Sequence, residues 1–214
     1  NLLGNASVSV PNGTLLSAGN ATTTYNRSDS SSFIAKTEKE GNKLTTNYIA
    51  TPKMKSGASV RIVFDETNSN GLRFTSMLHK NAKYETYGTL IVKAADLGDN
   101  AFTMAALDAA NIKYANIVAD ENGTVKGETD NTYNAALVNL PEKEYTTEFA
   151  ARAYVIYEIN GEDYIVYSDF VATKDEEGNL KGDNIRSLND VALAAHNDTD
   201  GKYSEEYCHL VAEG

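Results

Sequence analysis

Two runs of strict alternation meet at Asn160-Gly161, and they leave residues 148–172 one reading, an antiparallel hairpin. Ala151, Ala153, Val155 and Tyr157 alternate with Arg152, Tyr154, Ile156 and Glu158; beyond the Asn-Gly pair, Tyr164, Val166, Ser168 and Phe170 alternate with Ile165, Tyr167, Asp169 and Val171. Side chains of a strand point to opposite faces in turn, and Asn-Gly supplies the two φ > 0 positions of a type I′ turn. Such a ribbon cannot stand alone in water, so the rest of the chain must supply further strands and a core.

Those strands are legible upstream. Residues 32–37 and 44–50 flank a charged turn at 38–43 containing Gly41-Asn42. In 58–64, Val60, Ile62 and Phe64 share a face, and after a polar turn at 65–71 Leu72 and Phe74 do the same, opposite Arg73 and Thr75. Residues 87–92 are mostly apolar, as in a central strand covered on both sides. Further strands are expected at 114–119 and 135–140, separated by a polar turn at 120–131. Thr103 is placed to cap a short helix through Asp108 that buries Phe102, Met104 and Leu107. Ile185, Leu188, Val191, Ala192 and Ala195 recur at helical spacing with Asp183 or Asn184 as cap, and a last short helix is expected near Ser204. The fold class that follows is α+β: mainly antiparallel β with a sandwich-like sheet core, a short internal helix and one or two C-terminal helices.

Residues 1–32 are rich in Ser, Thr, Asn and Gly, with short apolar stretches at Val8–Val10 and Thr14–Leu16. They read either as a polar linker or as loosely paired N-terminal strands, and residues 33–214 as a single globular module. The chain begins at Asn1 without a basic-then-apolar leader, which reads as a piece of something longer. Nineteen basic against thirty acidic side chains leave a net charge of −11; nucleic acid and anionic lipid would repel it. No apolar run is long enough to span a membrane. The single cysteine, Cys208, excludes an internal disulfide and a cysteine-built zinc cage. Together with a composition rich in Asn and Tyr and lacking Trp, this points to an extracellular, bacterial cell surface. Six Asn-x-Ser/Thr triplets, at Asn5, Asn12, Asn20, Asn26, Asn122 and Asn197, read as chance matches in such a chain.

Residues suited to catalysis are sparse. Of three histidines, His196 ends the amphipathic helix, where a cation meets the negative end of the dipole. His209 adjoins Cys208, and helical neighbours point about 100° apart, so that pair makes no dyad. His79 follows a strand in a polar turn. There is no Gly-x-Ser-x-Gly elbow, and no phosphate-binding glycine loop. His196 to Gly201 has Asp198 and Asp200 at calcium-loop spacing, but His196 and Tyr207 at its two end positions are not calcium ligands, so no cofactor is expected beyond a looser calcium site there or at 175–179. Arg61, Arg73, Arg152 and Arg186 read as structural cations paired with Asp or Glu, and Asp169 as one such partner. Tyr154, Tyr157, Tyr164 and Tyr167 share one hairpin but divide by parity between its two faces. Tyrosines exposed on a sheet face stack sugars or anchor a protein interface, so these four, with Arg152 and Asp169, are the candidate ligand-binding residues; no catalytic or metal residue is assigned.

Gly57-Ala58-Ser59-Val60-Arg61, Gly71-Leu72-Arg73-Phe74-Thr75-Ser76, Tyr87-Gly88-Thr89-Leu90-Ile91, Phe149-Ala150-Ala151-Arg152-Ala153-Tyr154, Tyr167-Ser168-Asp169-Phe170 and Ile185-Arg186-Ser187 follow one another in an order that resembles a module repeated in large surface proteins of Gram-positive gut anaerobes. The resemblance runs from about residue 57 to 212 and includes Ala194 to Asp198 and Tyr203-Ser204. It departs at 77–85, shorter here than the helix-containing stretch of that family. It implies an extracellular, non-catalytic module and carries no catalytic residue to transfer. The function expected is therefore ligand binding, first to a host protein such as immunoglobulin, alternatively to carbohydrate, with a structural spacer as the third reading; an enzyme is not expected.

Overall fold

The computed structural model describes residues 15–18, 21–24, 33–40, 43–61, 71–159, 162–198 and 201, with side chains from Ala50 onward except at 159 and 162. At the N-terminal end, β1 (Leu15–Ala18) pairs with β2 (Ala21–Thr24), and β3 (Phe33–Glu40) pairs antiparallel with β4 (Lys43–Ala50). The expected turn at 38–43 is narrower, because β3 runs to Glu40 and β4 begins at Lys43. Residues 41–42, 65–70 and 160–161 of the expected turns, the apolar stretch at 8–10, the strand beyond Arg61, the helix near Ser204, and Asp200, Cys208 and His209 lie outside the described residues.

Two antiparallel sheets make the body. In the first, β7 (Gly71–His79) is flanked on one side by β10 (Asp130–Val138) and on the other by β5 (Lys53–Met54) and β6 (Ser59–Arg61). The second has the order β12 (Glu162–Tyr167), β11 (Phe149–Ile159), β8 (Thr86–Lys93), β9 (Tyr114–Val118). A two-residue strand, β15 (Ile185–Arg186), continues the β12 side of β11 by pairing with Phe149 and Ala150. Between β12 and β15 lies a small ribbon of β13 (Thr173–Lys174) and β14 (Leu180–Lys181).

Alternation fixes what each strand buries. Leu72, Phe74, Ser76 and Leu78 point inward from β7 while Arg73, Thr75, Met77 and His79 point out. They meet Tyr87, Thr89 and Ile91 of β8 and Ala151, Val155 and Tyr157 of β11, so the two sheets close on one another as a sandwich. The opposite face of β8, with Leu90 and Val92, is buried too. It is covered by α1 (Ala94–Leu97), α2 (Met104–Ala109), and Phe170, Leu180 and Ile185. Residues 87–92 thus occupy the doubly covered position their composition predicts. Thr103 caps α2 as expected, its hydroxyl accepting the Ala106 N–H at 3.3 Å, with Phe102 and Leu107 buried and Met104 partly so.

Three expectations need correction. α3 (Leu188–His196) is capped by Ser187, whose hydroxyl accepts the Asp190 N–H at 3.1 Å, and not by Asp183 or Asn184. Ile185 fits the helical spacing but lies in β15, so the helix starts one turn later. The second hairpin strand stops at Tyr167 instead of running through Phe170. Ser168 ends it: its N–H donates to the Ala153 carbonyl, while its hydroxyl, in place of a carbonyl, accepts the Ala153 N–H at 3.1 Å. Freed from the ladder, residues 169–172 turn over the outer core, where Phe170 packs edge-on against Phe102 with ring centroids 5.0 Å apart. Finally, β10 begins at Asp130, within the expected turn, because Asp130 to Asn134 pair in register with His79 to Thr75.

Candidate functional site

The six candidate residues fall into three environments. Tyr154 and Tyr157 are interior, 1% and 2% exposed, on opposite faces of β11. Tyr154 lies over Gly88, its cross-strand neighbour, and its hydroxyl donates to Asn116 Oδ1 at 2.7 Å. Tyr157 holds both backbone groups of Ala50: the Ala50 N–H donates to the phenolic oxygen at 2.7 Å and the phenol donates to the Ala50 carbonyl at 2.8 Å. Burial pushes both phenols above their ordinary pKa. Neither ring is available to a ligand.

Arg152 and Tyr167 form a half-buried knot. Arg152 donates from Nε to the Ser168 carbonyl at 2.7 Å and from Nη1 to the Phe102 carbonyl at 2.8 Å, and its guanidinium carbon lies 5.0 Å from the centre of the Tyr167 ring. Tyr167 in turn accepts the Met104 N–H on its hydroxyl. Arg186 likewise donates to the Gly182 and Ile185 carbonyls, and Arg73 to the Ser59 hydroxyl. These three arginines serve as scaffolding, with carbonyl and hydroxyl oxygens as their hydrogen-bond acceptors; of the expected carboxylate partners, Asp169 acts on Arg152 through its charge.

Tyr164 and Asp169 remain at the surface, Tyr164 at 43% exposure beside Ile165 at 42%. Tyr164 lies in β12, the border strand of the second sheet, which no other strand among the described residues covers, and Asp169 follows two residues after that strand ends. Antiparallel geometry sets the direction of each backbone group. Ser168 bonds to Ala153, so residues 164 and 166 direct N–H and C=O toward β11, and residues 163, 165 and 167 direct theirs outward. The result is a strand edge whose outward N–H and C=O groups pair with no strand among the described residues, with an aromatic and a β-branched side chain beside it.

An open cavity of about 360 Å³ adjoins this edge, at the gap where β12 gives way to β15. Ser168 and Asn184 span the gap, the latter by accepting the Ala151 N–H on its carbonyl. Phe170 and Val171 supply its apolar wall, Val171 at 77% exposure, and Asp169, Asp183, Lys181 and Thr173 its polar groups. Gly182 is required there, because a Cβ would stand 2.5 Å from the Val171 carbonyl oxygen. The sequence missed this cavity, since its walls come from segments that read as plain hydrophilic loop.

His79 accepts the Asn81 N–H on Nδ1, and burial pulls its imidazole below the usual value; His196 is exposed in the last turn of α3. Asp175 closes its own turn, accepting from the Asn179 backbone and side-chain N–H groups. Among the described residues, no group of three or more His, Cys, Asp or Glu is placed to hold a metal ion. Comparison with protein-family models, with curated proteins and with solved structures returns no match.

The Tyr157 grip on Ala50 ties the end of the β3–β4 hairpin to the core. Tyr157→Phe is expected to cost about 2 kcal/mol, because it strips two hydrogen bonds from buried backbone groups. Chemical denaturation reads the loss, and hydrogen exchange should quicken at the Ala50 amide. Unchanged protection there would show that the phenol does not hold this residue.

Proposed function

We propose that this chain is a non-catalytic ligand-binding module of a bacterial cell-surface protein, and that it engages a host protein, such as immunoglobulin, along the outer edge of β12. The observation that carries this reading is that edge: outward backbone groups at Asp163, Ile165 and Tyr167, with Tyr164 and Ile165 exposed beside them. Strand addition to such an edge takes affinity from main-chain hydrogen bonds and specificity from alternate side chains. Immunoglobulin domains are sandwiches of antiparallel sheets and can offer a complementary edge. Surface location rests on the composition and on the motif order described above. No helix among the described residues is long and apolar enough to cross a membrane.

Ile165→Pro tests the reading, because it deletes an outward N–H and leaves the β11–β12 ladder bonds in place. Immobilised wild-type protein is expected to bind polyclonal immunoglobulin, with capture reduced at least tenfold by Ile165→Pro and by Tyr164→Ala and the melting temperature little changed. Full capture by both variants would remove β12 as the site.

The cavity favours a second reading, carbohydrate binding, since Asp169, Asp183 and Asn184 can accept and donate to hydroxyls around Phe170. Capture from intestinal secretions that is lost after enzymatic deglycosylation would select it.

A further inference from the structure

Resting on the β12 reading, we infer that the occupant of this edge is an extended segment of about six residues carrying a Lys or Arg near each end, one cation against Glu85, Glu158 and Asp163 and the other in the cavity beside Asp169 and Asp183. Two separate groups of carboxylates bracket the exposed backbone. At the turn end, Glu158 and Asp163 are directly opposed across β11 and β12, a like-charge pair that an isolated sheet disfavours. Glu85 joins them; the Asp163 carboxylate pushes its pKa up, so three acids there share one field.

At the other end, the cations near the cavity are already committed. Lys181 holds Glu148 at 2.7 and 2.8 Å and has Asp175 at 3.8 Å. Arg152 directs Nε and Nη1 to carbonyls and reaches Asp169 only through its field. The Asp183 carboxylate accepts a neutral donor, the Ser56 hydroxyl at 3.1 Å, and has no cation paired to it among the described residues, and Asp169 is exposed. The cavity therefore has carboxylate capacity that a guanidinium or ammonium would match.

Strand rise makes Asp163 to Tyr167 about 13 Å, the reach of about four paired residues, and one flanking residue at each end carries the cations to Asp163 and past Ser168 to Asp169. Between the two acidic ends the edge offers Ile165, 42% exposed, which suits a β-branched or aromatic side chain of the occupant. A second copy of the chain would bring the same carboxylates, and a net charge of −11, against themselves, so self-pairing is disfavoured.

Two capped eight-residue peptides test this, both with an alternating Val, Thr and Tyr centre, one with Arg at each end and the other with Glu. Titration of the intact protein at about 50 mM salt is expected to show binding of the Arg peptide alone, with slowed exchange at the Ile165 and Tyr167 amides. Affinity should fall at least tenfold in Asp169→Asn/Asp183→Asn and again at about 300 mM salt, since such pairing is screened. Equal binding of both peptides, or an Arg peptide that fails to protect Ile165, overturns the inference. Immunoglobulin capture that still depends on Ile165 in that case would leave the edge reading standing, whereas capture indifferent to Ile165→Pro would remove the edge itself.

Discussion

Tyr154→Ala is expected to cost about 3–5 kcal/mol of folding stability, while Tyr164→Ala, ten residues away on the same hairpin, should cost under about 1 kcal/mol. The difference lies in where the two rings sit. Tyr154 is 1% exposed in the outer core with Leu90, Val92, Leu107 and Ile185, and its ring lies over Gly88. Truncation removes that apolar area, opens a cavity against the glycine, and strands Asn116 Oδ1 without its phenolic donor. Tyr154→Phe keeps the ring and should lose only about 1 kcal/mol. Gly88 cannot be refilled to compensate, because a Cβ there would lie 2.5 Å from the Ile117 carbonyl oxygen, a backbone atom with no freedom to move aside. Urea denaturation of the three variants separates these cases. A Tyr154→Ala protein within 1 kcal/mol of wild type would mean that the ring is not part of the core.

That contrast also shows where sequence reasoning stops. Parity alone divides the four tyrosines between two faces, and the register pairs Tyr154 with Tyr167 and Tyr157 with Tyr164. Parity could not say which face is buried, and the answer is that both are. The outer cover comes from α1, α2 and residues 168–185, a stretch whose hydrophilic composition hides Phe170, Leu180 and Ile185 at single positions. A side chain acting as a carbonyl, as at Ser168, leaves no periodic trace, so the early end of β12 was not legible. The same holds for arginines that take carbonyl oxygens as acceptors: backbone bonds have no residue-type signature. Ile185 shows the remaining ambiguity, since one apolar residue satisfies a helical and a strand pattern equally. Two of the four tyrosines expected to bind a ligand, Tyr154 and Tyr157, are core residues instead. What makes Tyr164 and Asp169 candidates is a strand edge and a gap in it, both products of topology.

Raising the pH above 10 is expected to unfold the protein steeply, with two buried phenols as the cause. Tyr133 and Tyr157 are almost wholly buried, and desolvation of the phenolate drives both well above the ordinary tyrosine value of about 10. The Tyr133 hydroxyl is the one buried side-chain oxygen among the described residues without a partner in hydrogen-bond geometry, and the nearby Ser76 hydroxyl offsets only part of the desolvation. Tyr133 packs edge-on to Tyr87 at 4.8 Å, and Tyr87 to Tyr84 at 4.4 Å, and Tyr84 is itself pushed up to about 12. A group whose folded pKa is raised gives stability that is complete below the unfolded value and is lost as pH climbs from there toward the folded value. Each such phenol costs about 1.4 kcal/mol per pH unit in that window, so Tyr133 and Tyr157 together remove about 2.7 kcal/mol per unit above pH 10. By pH 11.5 the loss is about 4 kcal/mol, a large part of the 5–15 kcal/mol typical of a domain. Absorbance at 295 nm should accordingly show some tyrosines ionising near pH 10 and the buried ones ionising only together with loss of the sheet circular dichroism. Tyr133→Phe should lower the slope of stability against pH by about 1.4 kcal/mol per unit. Smooth ionisation of all thirteen tyrosines near pH 10 with the sheet intact would show that these phenols are not enclosed.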